Sequence, residues 1–133
     1  MASSLHVSFT AANAQATALS ALCNSGFIDI FSTAQPATPE TAPGGTALAT
    51  LQFGATAFGA PVNGVLTANA ISGVTIVNSG TAVWFRVTKS DHTTPVFDGS
   101  CGTSAADMVI NSVALSSGAS LTVSSLTYTV PGV

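Results

Sequence analysis

The sequence predicts an all-β fold, an antiparallel β-sandwich and most simply a jelly roll, of about eight short strands with one N-terminal helix over residues 11–24. Three observations carry this. Short apolar–polar alternations recur along the chain, the period-two mark of half-buried strands. Turn signals rich in Gly, Pro and Asn separate them. A single early segment switches to a helical period. At 133 residues, one domain spanning 1–133 is expected. Area scaling gives about 19,000 Å² of unfolded and about 6,400 Å² of folded surface, so a core forms without metals or disulfides.

The elements follow in order. Leu5, Val7 and Phe9 alternate with His6 and Ser8, a short strand pattern. Ala12, Ala16, Leu19 and Cys23, joined by Leu22, then fall on one helical stripe, and Asn13, Thr17, Ser20 and Asn24 on another. Thr10 is placed to cap the start of this helix and Gly26 to end it. A helix this short is marginal alone, so it must dock on something larger.

"GFIDIFS" sets Phe27, Asp29 and Phe31 against Ile28 and Ile30. "QPATPETAPGG", residues 35–45, carries three prolines and is a loop. "TALATLQFGATAF" is the next strand region, reversed at Pro61, Asn63 and Gly64, where Asn-Gly is a hairpin signal. "VLTANAI" and "GVTIVN" run to the turn "NSG". In "AVWFRVT", Val83, Phe85 and Val87 share one face and Trp84, Arg86 and Thr88 the other. "PVFDG" ends in a turn dipeptide, and "DMVINSVAL" and "SLTVSSLTYTV" flank the turn "SSGA". The apolar phase slips at Ser124-Ser125, which predicts a β-bulge or bend.

Charge is unusually scarce. Only 5% of residues are charged, where about 25% is typical. No run approaches the roughly 18 apolar residues of a membrane-spanning helix. "MASSLHVSFTAANAQ" lacks a basic region and a continuous apolar stretch, so no secretory signal is expected. Two basic residues cannot neutralise many phosphates, which makes nucleic acid a poor partner. A net charge of −3 gives little repulsion between copies, and such a surface suits dense packing. Cys23 and Cys101 read as two free, mostly buried thiols, with a disulfide left open.

"TAVWFRVTKSDHTTPVFDGSCG", residues 81–102, is the one chemically crowded stretch. It holds the only Trp and both basic residues, Arg86 and Lys89, with Asp91, His92, Asp98 and Cys101. A Cys-His-Asp nucleophile system needs its three groups within hydrogen-bonding reach and an oxyanion site. Adjacent Asp and His on a turn point apart, and no nucleophile elbow occurs, so no catalytic residue is expected. Metal-ligand spacings of the H-x₃-H or C-x₂-C kind are missing, and Asp91, Asp98 and Asp107 lack calcium-loop order, so no metal or cofactor is expected. Asp91 and Asp98 fit turn positions, and Asp107 fits closure of the loop "GTSAAD". Two readings stand for Trp84 and Arg86: an exposed interface anchor, or a pair that covers the sheet with Arg86 stacked or bonded to Asp98. On the first reading the interface set is Trp84, Arg86, Lys89, Asp91 and His92.

The stretches "SGFIDIFSTAQPATPETAPGGTALATLQFGATAFGA", "GVLTANAI", "GTAVWFRVTKSDHTTPVFDGSCGTSAADMVIN" and "SLTVSSLTYTVP" cover most of residues 25–131. In overall pattern they resemble small structural proteins encoded in tailed-phage and prophage morphogenesis regions, and among these capsid decoration or cement proteins. The resemblance implies a virion component on the capsid exterior, made in the bacterial cytoplasm. It would bind the major capsid protein and itself, as a dimer or trimer. It implies no catalytic residues and does not account for the helix. The alternative is a tail-associated or host-surface module that binds a glycan through Trp84.

Overall fold

A computed structural model describes residues 4–133. Helix α1 spans Phe9–Cys23 and is followed by eleven strands. These are β1 (Phe27–Phe31), β2 (Ala49–Gln52), β3 (Val65–Thr67), β4 (Val74–Thr75), β5 (Gly80–Thr81) and β6 (Trp84–Thr88). Then come β7 (Pro95–Gly102), β8 (Met108–Ile110), β9 (Ala114–Leu115), β10 (Ser120–Leu121) and β11 (Val123–Thr129). The expected β-rich class holds, with one helix.

Seven strands form one curled sheet in the order β2-β1-β6-β7-β8-β11-β3. Two ribbons, β4–β10 and β5–β9, accompany it. The sheet is mixed, because β7 and β8 are parallel. Parallel neighbours normally need a crossover of a dozen or more residues. Here the two strands overlap by only two residue pairs, Cys101↔Met108 and Gly102↔Val109, so one strand takes over where the other stops. Asp107 closes the short connection: its Oδ2 accepts from Ser100 N at 2.9 Å.

The curl has a visible cause. After β2 the chain passes the helix end, where Phe53 N donates to Gly26 O and Ala57 N to Asn24 Oδ1. It then pairs Phe58 with Ala68, just beyond β3. One short segment thus links the two outermost strands of the sheet. Asn63 and Gly64 make the expected reversal with φ of 52° and 79°, and Val62 and Val65 exchange both backbone bonds. Positive φ at both positions is what a type I′ turn requires.

The helix docks by small residues. Ala12, Ala16 and Cys23 are fully buried, and Asn13 Oδ1 accepts from Gly64 N at 2.8 Å. Leu22, expected on the buried stripe, is 46% exposed, because close contact is made by the alanines and leaves no depth for it. The N-cap is Ser8, whose hydroxyl accepts from Ala11 N, two residues ahead of the expected Thr10. The expected strand at Leu5–Phe9 is replaced by this cap and by one backbone bond from Val7 N to Gly132 O. At the other end Ser25 takes the positive φ of 58°. Gly26 is there for space: a Cβ would lie 2.3 Å from Thr88 O.

Asp98-Gly99 is a second departure. The dipeptide expected to end a strand lies in the middle of β7. Gly99 faces Phe85 across the sheet, and a Cβ there would come within 2.6 Å of the Phe85 ring. The glycine is a slot for an aromatic ring. The predicted bulge is present, with β11 shifting register between Val123 and Ser125 against β8. The Ser116–Ala119 turn also forms, with Gly118 at φ 90°.

One apolar cluster runs from Ala12 to Val130 and takes Ile28, Ile30, Leu51, Phe85, Val87, Met108, Leu121 and Leu126 from the sheet. The folded surface is 6847 Å², close to the scaling value of about 6,400 Å² for this mass. Both thiols are free, as the spacing suggested.

Candidate functional site

Strand β6 is the centre of the crowded stretch and is buried along its whole length. Alternation divides its side chains. Phe85 and Val87 enter the core beside Ile30 and Ile28. Trp84, Arg86 and Thr88 face the opposite way, with Phe31, Asp29 and Phe27 of β1 and Ser100 and Asp98 of β7 beside them. The central sheet is therefore buried on two faces, and the outer one is aromatic and charged.

Trp84 stacks on Phe31 at 4.7 Å, and the Arg86 guanidinium lies 5.2 Å from the indole centroid. Arg86 makes a two-point bond to Asp98, Nε to Oδ1 at 2.7 Å and Nη2 to Oδ2 at 3.0 Å. The fork geometry and the low exposure of both side chains, 8% and 4%, make this a desolvated, charge-assisted pair. Loop 32–47 contributes the Thr38 carbonyl, 3.5 Å from Arg86 Nη2. Trp84 Nε1 and Thr88 Oγ1 are buried and bond to nothing among the described residues.

The hairpin tip closes the other end of this face. Asp91 is an Asx-type staple for its own turn: it accepts from Thr93 N, Thr94 N and Thr94 Oγ1. The Thr94 hydroxyl, then the Thr94 and Thr93 amides, hold its carboxyl down at about 2, against an ordinary 3.8. His92 takes φ of 58°, in the left-handed region that His visits more readily than most residues. Its ring then folds back over β1, stacks on Phe27 at 4.3 Å and sets Nε2 2.9 and 3.0 Å from the two Asp29 oxygens. Thr50 of β2 donates to the same carboxylate at 2.6 Å. One row of charge and hydroxyl groups therefore crosses four strands: Thr50, Asp29, Arg86, Asp98.

Of the five residues read as an interface, Trp84 at 0% and Arg86 at 6% exposure lie inside the chain. The exposed Trp–Arg pair is not there; the alternative arrangement, Arg86 stacked on Trp84 and bonded to Asp98, is what forms. Lys89 is half-buried, while Asp91 and His92 are exposed at the tip. Sequence reasoning missed Asp29, Thr50 and Phe31 as members of this face. The signal was present in "FIDIF", where a lone Asp shares a strand face with two Phe and requires a partner.

The arrangement brings no nucleophile to His92. Cys101 lies at the far end of β7, and burial, with Asp107 adding, pushes its thiol up to about 12. Burial does the same to Cys23. A cavity of about 210 Å³ is lined by Asp98, Asp107, Tyr128 and neighbours, but Arg86 already holds one carboxylate and Ser100 the other. Another, of about 380 Å³ beside Gln52, Phe53 and Val74, has no ionisable lining. No three His, Cys, Asp or Glu side chains gather to hold a metal among the described residues. No helix there is long and apolar enough to cross a membrane. Comparison of the chain with protein-family models, with curated proteins and with solved structures gives no match.

Proposed function

We propose that the protein is a structural subunit of an assembled particle, a virion component of the capsid-decoration kind that binds and stabilises a lattice of major capsid protein and associates with itself as a dimer or trimer. One observation carries the reading: the chain spends its few charges on itself. Of its seven charged side chains, Asp29, Arg86, Asp91, Asp98 and Asp107 are engaged in internal bonds. Glu40 is left exposed on the loop and Lys89 half-buried at the tip. Outside, Glu40, Asp91 and Asp107 are the exposed carboxylates on a surface otherwise rich in Ser, Thr, Ala and Gly. Exposed Leu5, Phe9, Val62 and Val133 lie on segments that converge, because Val7 bonds Gly132 and Gly64 bonds both Val130 and Asn13. A typical soluble globular domain carries about 25% charged residues. A subunit packed among many copies needs no such repulsion, and each contact need add only a few kcal/mol.

On this reading the ribbons β4–β10 and β5–β9 are the reduced second layer of a sandwich, the jelly-roll element of the fold. The partners are the capsid lattice and further copies, with no role for nucleic acid or membrane. The test is mass spectrometry of purified particles from the producing strain. The chain is expected at a copy number comparable to that of the major capsid protein. Absence from the particle, or a few copies at the tail, would sink the reading.

A further inference from the structure

Loop 32–47 is unlike the other connections. It runs sixteen residues without regular structure, beyond the length at which such loops become uncommon and are usually functional. Its half-buried residues are Thr33, Pro36, Pro39, Pro43 and Ala47, and its other side chains are exposed. All three prolines of the loop are thus among its half-buried residues. Its hydrogen bond to the Trp84–Arg86 face is the single 3.5 Å contact at the Thr38 carbonyl. The Thr38–Thr41 bonds are internal to the loop. Three buried polar atoms, Thr33 Oγ1 on the loop and Trp84 Nε1 and Thr88 Oγ1 on the face, go without partners among the described residues, an unfavourable condition that access to water would relieve. Gly44 stands in open space near one end, with nothing within 4 Å of its Cβ position.

We propose that this loop is a displaceable strap, and that the Phe31–Trp84–Arg86 face beneath it is a docking surface for the same loop of a second copy of this chain. The chain's own loop reaches this face through the Thr38 carbonyl at Arg86, and a neighbour's copy carries the same group. Such an exchange trades like for like and has little net cost. Proline-rich segments suit aromatic faces because they are stiff before they bind. Extended at about 3.3 Å per residue, the strap spans roughly 50 Å, enough to reach an adjoining subunit. Its single charge, Glu40, adds little repulsion. The inference rests on the assembly reading for the presence of a neighbour.

Trp84, the only tryptophan, reports on the face directly. In a variant with residues 35–45 replaced by a short Gly-Ser link, the far-ultraviolet β spectrum is expected to persist. Its tryptophan emission shifts red and becomes open to acrylamide. A synthetic peptide of residues 32–47 then restores the blue emission and the protection when titrated to about 1 mM, the order of effective concentration that a tether supplies. Should the shortened chain fail to fold, wild-type protein nicked by elastase within the alanine-bearing loop and freed of the fragment takes its place. Unchanged quenching on shortening, or a peptide without effect, overturns the strap. Sedimentation separates the two levels. Wild-type oligomers that survive loop shortening overturn the strap and leave the assembly reading standing; a wild-type chain monomeric at every concentration overturns both.

Discussion

The two faces of β6 solve the same problem in different ways. Its inner face sets Phe85 and Val87 against Ile28, Ile30 and Leu51, all at 0% exposure, and contains no polar side-chain atom to satisfy. The curled sheet and the helix seal it. Its outer face sets Trp84, Arg86 and Thr88 against Phe31, Asp29 and Asp98, and is sealed by an irregular loop and a hairpin tip. Stability on the inner face follows volume, because close-packed apolar groups lose dispersion contacts and burial with every methylene removed. On the outer face it follows pairing, because a desolvated charge or indole N–H without a partner is unfavourable. The inner face can only hold the fold together. The outer face also keeps two buried polar atoms, Trp84 Nε1 and Thr88 Oγ1, without a partner among the described residues.

Phe85→Ala should be the most damaging single change. It empties the slot that Gly99 provides and breaks the ring contact with Phe97, 5.9 Å away and edge-on. A loss of about 3–5 kcal/mol is expected in urea unfolding. A loss under about 1 kcal/mol would mean that the two faces are not distinguished by packing.

On the outer face, Asp98→Ala leaves Arg86 buried and unpaired, at a cost of about 3 kcal/mol. The double change Arg86→Leu with Asp98→Leu removes the stranded charge and should recover most of that loss. Full additivity of the two single changes in a double-mutant cycle would contradict pairing as the controlling term. No comparable rescue is expected at Phe85, where nothing polar is left behind.

How far these faces were legible in the sequence follows from the range of the forces. Alternation in "AVWFRVT" assigned every β6 side chain to its correct face, since the period of two is local. The Asn63-Gly64 reversal and the slip at Ser124-Ser125 are likewise written in neighbouring residues. Burial of the outer face was not legible, because it depends on where a loop some fifty residues away in sequence comes to rest. Asp98-Gly99 was misread for the same reason: its glycine answers to a ring on another strand. The parallel β7–β8 pair is an effect of a two-residue overlap that no local pattern encodes. Asp29 finds His92 across 63 positions, and only the fold brings them together.

His92→Ala tests the weaker seal. It removes the ring from Phe27 and one donor from Asp29, which keeps its bond from Thr50. The His92 side chain is 43% exposed, so water screens the pair and a loss of about 0.2–1 kcal/mol is expected. The sharper readout is local: amide exchange at residues 89–94 should accelerate while that of Phe85 stays unchanged. Equal acceleration at both would show the faces to be one cooperative unit.

Acid and alkali should separate the faces without any mutation. The Asp91 carboxyl is held at about 2 by its turn, below the ordinary 3.8. A depressed folded value means that the staple is fully present above the ordinary value and is lost as pH falls through about 2. The Thr93 and Thr94 amides should therefore lose protection first on acidification, ahead of Phe85, by nuclear magnetic resonance. The core thiols carry the opposite sign. Cys23 and Cys101 are raised from 9.0 to about 12, so the folded state holds their protons where the unfolded state has released them. Stability then falls as pH rises from 9.0 toward 12, and the loss belongs to the inner face. Replacing Cys23 by Ala should blunt the alkaline loss and leave the acid response of the tip untouched. A Cys23→Ala chain that changed both limbs would tie the tip to the core and dissolve the distinction between the two faces.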